Sequence, residues 1–177
     1  AGSNIGSFTQ MGNTLFYWAF DATYGGELYK TTPNGGVDNL LTTDVDESYT
    51  TVRLTDINPG TGNSSAGNLT VFDDGVLEKL YFTATNATYG SELWSTDGTN
   101  TVMVKDIYPG TASSSPAVLT DINGTLFFRA TTGVNGAELW KSDGTSNGTV
   151  MVDDINPSGS SSITLITKAG GLAFFSA

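Results

Sequence analysis

The chain has 177 residues, with 18 acidic and 7 basic side chains and a formal net charge of −11. A surface this acidic repels phosphate backbones and anionic membranes, which argues against nucleic-acid binding and membrane insertion. The chain contains no histidine and no cysteine, so Ser–His and Cys–His catalysis and nitrogen- or sulfur-based zinc sites are excluded. No apolar run approaches the roughly 20 residues of a transmembrane helix.

Four sequence marks recur in a fixed order. The first is an apolar strand core that begins at Leu15, Leu80, Leu126 and Leu172. The second, twelve residues further on (15→27, 80→92, 126→138), is a Glu-Leu-aromatic sequence at Glu27, Glu92 and Glu138. The third ends in Asp-Ile, with Asp56, Asp106 and Asp154, and the fourth is a proline two residues later, at Pro59, Pro109 and Pro157. The spacing is 46 residues (80→126, 126→172) but 65 from 15 to 80, so the first unit carries an insertion of 19 (65 − 46).

Each unit has the pattern of four short strands, which unit two places at 69–72, 80–84, 92–95 and 102–107. These stretches are rich in β-branched and aromatic residues and are bounded by Gly, Pro, Asn or Asp. Asp97-Gly98 and Asp143-Gly144 are typical of hairpin turns. We therefore predict an all-β fold of β-propeller-like tandem repeats, with four-stranded blades of about 46 residues, three complete units and half of a fourth.

We treat 1–177 as a single repeat domain. Its units cover about 5–64, 65–115, 116–162 and, in part, 163–177, and the insertion covers 31–50. Closed propellers typically need at least four blades, so this chain should leave apolar sheet faces and an edge uncovered. It is then a piece of a longer protein, closes a ring with another copy, or stacks head to tail into an open array.

The sequence Glu-Leu-Trp-x-x-Asp-Gly-Thr occurs at 92–99 and at 138–145. With the Asp-Ile-x-Pro sequence that follows, it resembles the bacterial ELWxxDGT repeat family over nearly the whole chain. Unit one departs from the pattern, because Tyr29 replaces the tryptophan and the Asp-Gly-Thr turn is absent; its third hairpin is therefore in doubt. The resemblance implies propeller-like domains of secreted or cell-surface proteins, and it implies no activity and no catalytic residues.

The carboxylates that recur in every unit are interpreted as architectural, since an active site is normally built once. A carboxylate at a strand end can accept backbone N–H bonds from the neighbouring blade. This interpretation covers Glu27, Glu92, Glu138, Asp56, Asp106 and Asp154. Trp94 and Trp140, with Tyr29, are interpreted as wedges between blades rather than platforms for sugars. We expect no enzyme, and a glycoside-active propeller with paired carboxylates is the less favoured alternative.

Binding candidates are residues that break the repeat. Trp18 has no aromatic counterpart, because Thr83 and Arg129 hold the matching positions; it is either an exposed contact residue or an ordinary packing residue. Asp44, Asp46 and Glu47 cluster in the insertion. Oxygen-only clusters suit calcium, but no complete calcium loop is present. We therefore expect a solvated acidic loop and no cofactor, with calcium as the alternative.

Sequons for N-glycosylation begin at Asn63, Asn68, Asn86, Asn123 and Asn147. The serine-rich linkers between units serve as connections or as O-glycan carriers. From these features we expect an extracellular or cell-surface glycoprotein with a structural or adhesive role. It would self-associate through open blade edges into an assembly or filament, with glycans or other surface proteins as further partners. The alternative is a carbohydrate-binding module that uses Trp18 and the insertion.

Overall fold

The computed structural model describes residues 5–34, 48–73 and 77–177, and these contain fourteen β-strands and no helix. The strands are β1 (Ile5–Met11), β2 (Thr14–Asp21), β3 (Gly25–Pro33), β4 (Tyr49–Arg53), β5 (Gly67–Asp73), β6 (Glu78–Asn86), β7 (Gly90–Thr96), β8 (Thr101–Lys105), β9 (Ala117–Asp121), β10 (Leu126–Thr132), β11 (Gly136–Ser142), β12 (Val150–Asp153), β13 (Ile166–Ala169) and β14 (Leu172–Phe175).

The strands form three antiparallel four-stranded sheets and one hairpin, in chain order. Sheet 1 is β1–β4, sheet 2 is β5–β8, sheet 3 is β9–β12, and hairpin 4 is β13–β14. The prediction of all-β units with four strands is confirmed for the three complete units. The doubtful hairpin of unit one also forms, since β3 pairs with β4 from Tyr29 opposite Arg53 to Pro33 opposite Tyr49.

Each inner sheet buries side chains on both faces. On β6, Leu80 and Phe82 are 0% exposed and belong to the core between sheets 1 and 2. Their neighbour Tyr81 points to the opposite face, as the period of two requires, and belongs to the core between sheets 2 and 3. A third core lies between sheet 3 and hairpin 4. Burying a leucine or phenylalanine side chain fully contributes about 1.5–3 kcal/mol, so stacking of successive sheets stabilises the array.

The first strands of successive sheets are neighbours and are joined by a repeated hydrogen bond. A threonine hydroxyl donates to a main-chain carbonyl of the next first strand. The three bonds join Thr9 to Leu69 at 3.3 Å, Thr70 to Leu119 at 3.4 Å and Thr120 to Ile166 at 3.3 Å. We call this series the threonine ladder.

The ladder corrects the alignment of the last unit. Thr120 pairs with Phe127 in sheet 3, and Thr167 pairs with Phe174 in hairpin 4. The structural offset is therefore 47 residues (120→167, 127→174), and matching Leu172 with Leu126 at 46 was wrong by one. Ala173, which packs against the third core, takes that position. The offset is 47 on both sides of the two-glycine turn between β13 and β14, so the extra residue lies before β13 and not in that turn.

Candidate functional site: linker clamps and end faces

The three repeated glutamates are buried and bind main-chain amides. Glu92 is 0% exposed, and its two carboxylate oxygens each accept an N–H, from Ile107 at 3.0 Å and from Ser114 at 3.0 Å. The Ser114 hydroxyl also donates to Glu92 at 2.5 Å. Glu138 accepts the amides of Ile155 and Ser161, both at 3.1 Å. In unit one, Glu27 accepts the amides of Ile57 at 3.1 Å and Asn58 at 3.4 Å.

All of these donors lie in the linker that leaves the fourth strand of the same unit, and not in a neighbouring blade as the sequence suggested. The glutamate therefore holds the linker across the start of the third strand. Burial raises the pKa of Glu27 and of Glu92 above the ordinary value, and the amide and hydroxyl donors oppose this rise. We call each glutamate with its linker a linker clamp.

The glycine two residues before each glutamate makes room for the clamp. Gly25, Gly90 and Gly136 have φ of 74°, 69° and 73°, a region that side chains other than glycine rarely adopt. A Cβ on Gly90 would overlap the carbonyl of Ala112 in the linker. The Gly-x-Glu sequence of the repeat is thus explained by packing of the linker, and it does not require a ligand.

The repeated aspartates also bond groups of their own unit. Asp56 pairs with Arg53 at 3.3 Å, and Asp106 accepts the Gly110 amide at 3.2 Å. Asp154 accepts the Asn135 side-chain amide at 2.8 Å. In each aspartate the Oδ1 atom is buried without a hydrogen-bond partner. Among the described residues no group of three or more acidic side chains could hold a metal ion. The calcium candidates Asp44, Asp46 and Glu47 lie outside the described residues, as does most of the insertion.

The two tryptophans of the repeat lie between sheets. Trp94 packs against the core of sheets 1 and 2, and its indole N–H donates to the Ala84 carbonyl at 3.1 Å. Trp140 is 7% exposed in the core of sheets 2 and 3, and its indole nitrogen has no partner. Their counterpart Tyr29 is half-buried on the outer face of sheet 1.

Trp18 takes the packing role rather than the exposed one. It packs against the core of sheets 1 and 2 and covers Gly26, where a Cβ would overlap the indole ring. Its counterparts bond the chain shortly before the first strand of the next sheet. Thr83 donates to the Pro116 carbonyl at 2.6 Å, and Arg129 donates to the Ile163 carbonyl at 2.9 Å. The position differs in each unit but faces the next sheet every time.

Most sequon asparagines use their side chains in the fold. Asn68, Asn86 and Asn123 donate to main-chain carbonyls, and Asn63 accepts the Gly26 amide at 2.7 Å. Asn147 is exposed. The linker serines at the centre of each clamp are buried, which removes Ser64, Ser114 and Ser161 from the accessible O-glycan candidates in the folded chain.

Sheet 1 presents an apolar outer face that sequence reasoning did not single out. Phe8 is 73% exposed there, beside a depression of about 250 Å³ that Phe8, Leu15, Tyr17 and Thr31 line. The rings of Tyr17 and Tyr29 stack with centroids 6.3 Å apart, and the Tyr17 hydroxyl lies 2.9 Å from that of Thr31. We call this the sheet 1 end face. The strand alternation could have located it, since Leu15 and Tyr17 match core positions of the later units.

Hairpin 4 presents a second apolar surface at the other end. Leu165 is 61% exposed and Phe174 is 54% exposed. They line a depression of about 290 Å³ together with Thr167, Phe175 and Ser176. We call this the hairpin 4 end face. Neither depression is lined by a charged side chain.

Searches of protein-family models, of curated proteins and of solved structures find no match to this chain. The resemblance to ELWxxDGT repeats therefore stays a prediction. The part of the chain that the structure describes contains no helix able to span a membrane.

Proposed function

We propose that this chain is an extracellular or cell-surface structural repeat protein that self-associates through its two end faces. Its sheets act as blades of a propeller-like array, with the first strands nearest a common axis. Its repeated carboxylates serve the fold and perform no catalysis. The extracellular location rests on the family resemblance and on the sequons, which we propose are partly glycosylated.

The observation that carries the proposal is the contrast between equivalent residues. Leu80 and Phe82 on sheet 2, and Leu126 and Phe128 on sheet 3, are all 0% exposed because the preceding sheet covers them. Leu15 and Tyr17 occupy the same two positions on sheet 1 and are only half-buried. A sheet face that is covered in two of three repeats is suited to being covered in the third.

The charge of the chain predicts how association depends on salt. Each copy carries a net charge of −11, whereas the end faces carry apolar and hydroxyl groups. Long-range repulsion between copies is screened over about 10 Å at 0.1 M salt, and the apolar contact is not weakened by screening. Self-association should therefore strengthen as the salt concentration rises.

The test is the molar mass of the purified chain, measured by light scattering over a range of protein and salt concentrations. We expect species larger than one chain that grow with both variables, and assemblies visible by negative-stain microscopy. A monomer under all conditions would refute the proposal. Phe8→Asp should abolish the larger species, since it places a charge on the sheet 1 end face.

Val134→Asp is the matched control. Val134 is 91% exposed in the turn between β10 and β11, so the substitution adds the same charge to an apolar residue that is more accessible than Phe8 and lies away from both end faces. It should leave the molar mass unchanged. Equal effects of the two substitutions would show that charge alone, and not the end face, controls association.

Carbohydrate binding is the second candidate, and the stacked Tyr17–Tyr29 pair favours it. Aromatic rings beside hydroxyl groups suit the apolar and polar sides of a sugar. The hydroxyls of Tyr17, Thr31 and Thr51 form such a row, at 2.9 and 2.7 Å. A glycan array with Tyr17→Ala as control tests this role, and binding that the substitution does not reduce would refute this site.

A further inference from the structure

We infer that the contact between copies is head to tail and continues the threonine ladder, with the hydroxyl of Thr167 donating to the main-chain carbonyl of Phe8 in the next copy. This inference rests on the proposed self-association and specifies its partner surface and register. The occupant of each end face is accordingly the opposite end face of a second copy.

The ladder identifies the two residues. Within the chain, each threonine donor bonds the residue that directly precedes the equivalent threonine of the next unit. Thr9 bonds Leu69, which precedes Thr70; Thr70 bonds Leu119, which precedes Thr120; and Thr120 bonds Ile166, which precedes Thr167. The fourth donor in this series is Thr167. The first residue of the acceptor series is Phe8, because it directly precedes Thr9. Within this chain the ladder therefore stops at the donor Thr167 on one side and at the acceptor position Phe8 on the other.

Both residues lie where the contact requires them. Thr167 is exposed and lines the depression of the hairpin 4 end face. Phe8 is 73% exposed and lines the depression of the sheet 1 end face. Phe174 lies beside Thr167 on one face, and Tyr17 lies beside Phe8 on the other. These aromatic side chains supply apolar area like that buried between the inner sheets.

The two end faces are different surfaces, which sets the symmetry of the assembly. The hairpin 4 end face matches the side of an inner sheet that looks toward the next unit, and the sheet 1 end face matches the side that looks back. A contact between unlike surfaces is heterologous, so it yields either a closed ring or an open filament, and not an isologous dimer.

The absence of cysteine in the chain permits a direct test of the register. One sample carries Phe8→Cys and another carries Thr167→Cys, with different tags, and the mixture is treated with a short thiol-to-thiol cross-linker. Val134→Cys mixed with Thr167→Cys measures random collision. We expect the Phe8–Thr167 product to exceed that control by about tenfold or more, because contact raises the effective thiol concentration.

A second measurement isolates the hydroxyl. Thr167→Val keeps the shape of the side chain and removes the donor, so it should weaken self-association by about 3- to 10-fold. Thr111→Val is the control, since Thr111 is also exposed but lies in the linker between β8 and β9 and lines neither end-face depression. Analytical ultracentrifugation gives the dissociation constants of both variants.

The outcomes separate the two proposals. Without self-association of the unmodified chain, the proposed function and the ladder contact both fail. Self-association with cross-links mainly between two Phe8→Cys copies would show an isologous contact and overturn the ladder alone. So would a Thr167→Val variant that associates like the unmodified chain.

Discussion

Replacing Glu92 with alanine tests whether the linker clamps stabilise the array. The substitution leaves the amides of Ile107 and Ser114 and the Ser114 hydroxyl without their acceptor. Each buried donor left unpaired costs about 1–3 kcal/mol, and water entering the space offsets part of this cost. We therefore expect a loss of about 3–5 kcal/mol in the free energy of unfolding.

In a domain of this size, 1 kcal/mol lowers Tm by about 2–4 °C, so Glu92→Ala should lower Tm by roughly 6–20 °C. Circular dichroism at 218 nm, near the usual β-sheet minimum, follows the transition. The matched control is Ser91→Ala, because Ala137 already occupies that position in unit three. A Glu92→Ala variant that melts at the same temperature as Ser91→Ala would contradict the clamp.

Three further predictions concern the same framework. Since burial raises the pKa of Glu92, the folded chain holds this proton more tightly than the unfolded chain. The stability that protonated Glu92 contributes is present below the ordinary glutamate pKa of 4.5 and is lost as the pH rises through the pKa of Glu92 in the folded chain. Glu92→Gln should therefore reduce the fall in Tm with rising pH. Gly90→Ala should destabilise the fold clearly more than Gly110→Ala in denaturant titrations. Both glycines have positive φ, which costs a side-chain-bearing residue about 1–2 kcal/mol, but only the Cβ at position 90 would overlap the linker backbone. Trp94→Phe should cost about 1 kcal/mol more than Trp140→Phe by calorimetry, because only Trp94 donates its indole N–H to a protein acceptor; equal losses would argue against this bond.

Much of the fold could be predicted because the repeat places the same residue types at the same position of each unit. Alternating apolar residues and Asp-Gly turns predicted the four strands of units two and three, and the recurrence of Glu92 and Glu138 indicated an architectural role. Local sequence is sufficient for such features because strand periodicity and turn preferences depend on near neighbours.

The sequence alone left Trp18 undecided, because alternation assigns a side chain to a face but does not say what covers that face. It also suggested the wrong donors for the glutamates, since the path of the linker over Gly90 depends on contacts between residues distant in the chain.

The two end faces were predicted from the sequence only in part. The sequence predicted uncovered apolar faces only from the count of blades, which is below the four that closed propellers typically need. Only the tertiary structure showed which residues line those faces. The one-residue shift of hairpin 4 is visible only in its strand register. The ladder from Thr9 to Ile166 joins neighbouring sheets, and contacts between sheets are set by packing rather than by the period of the sequence.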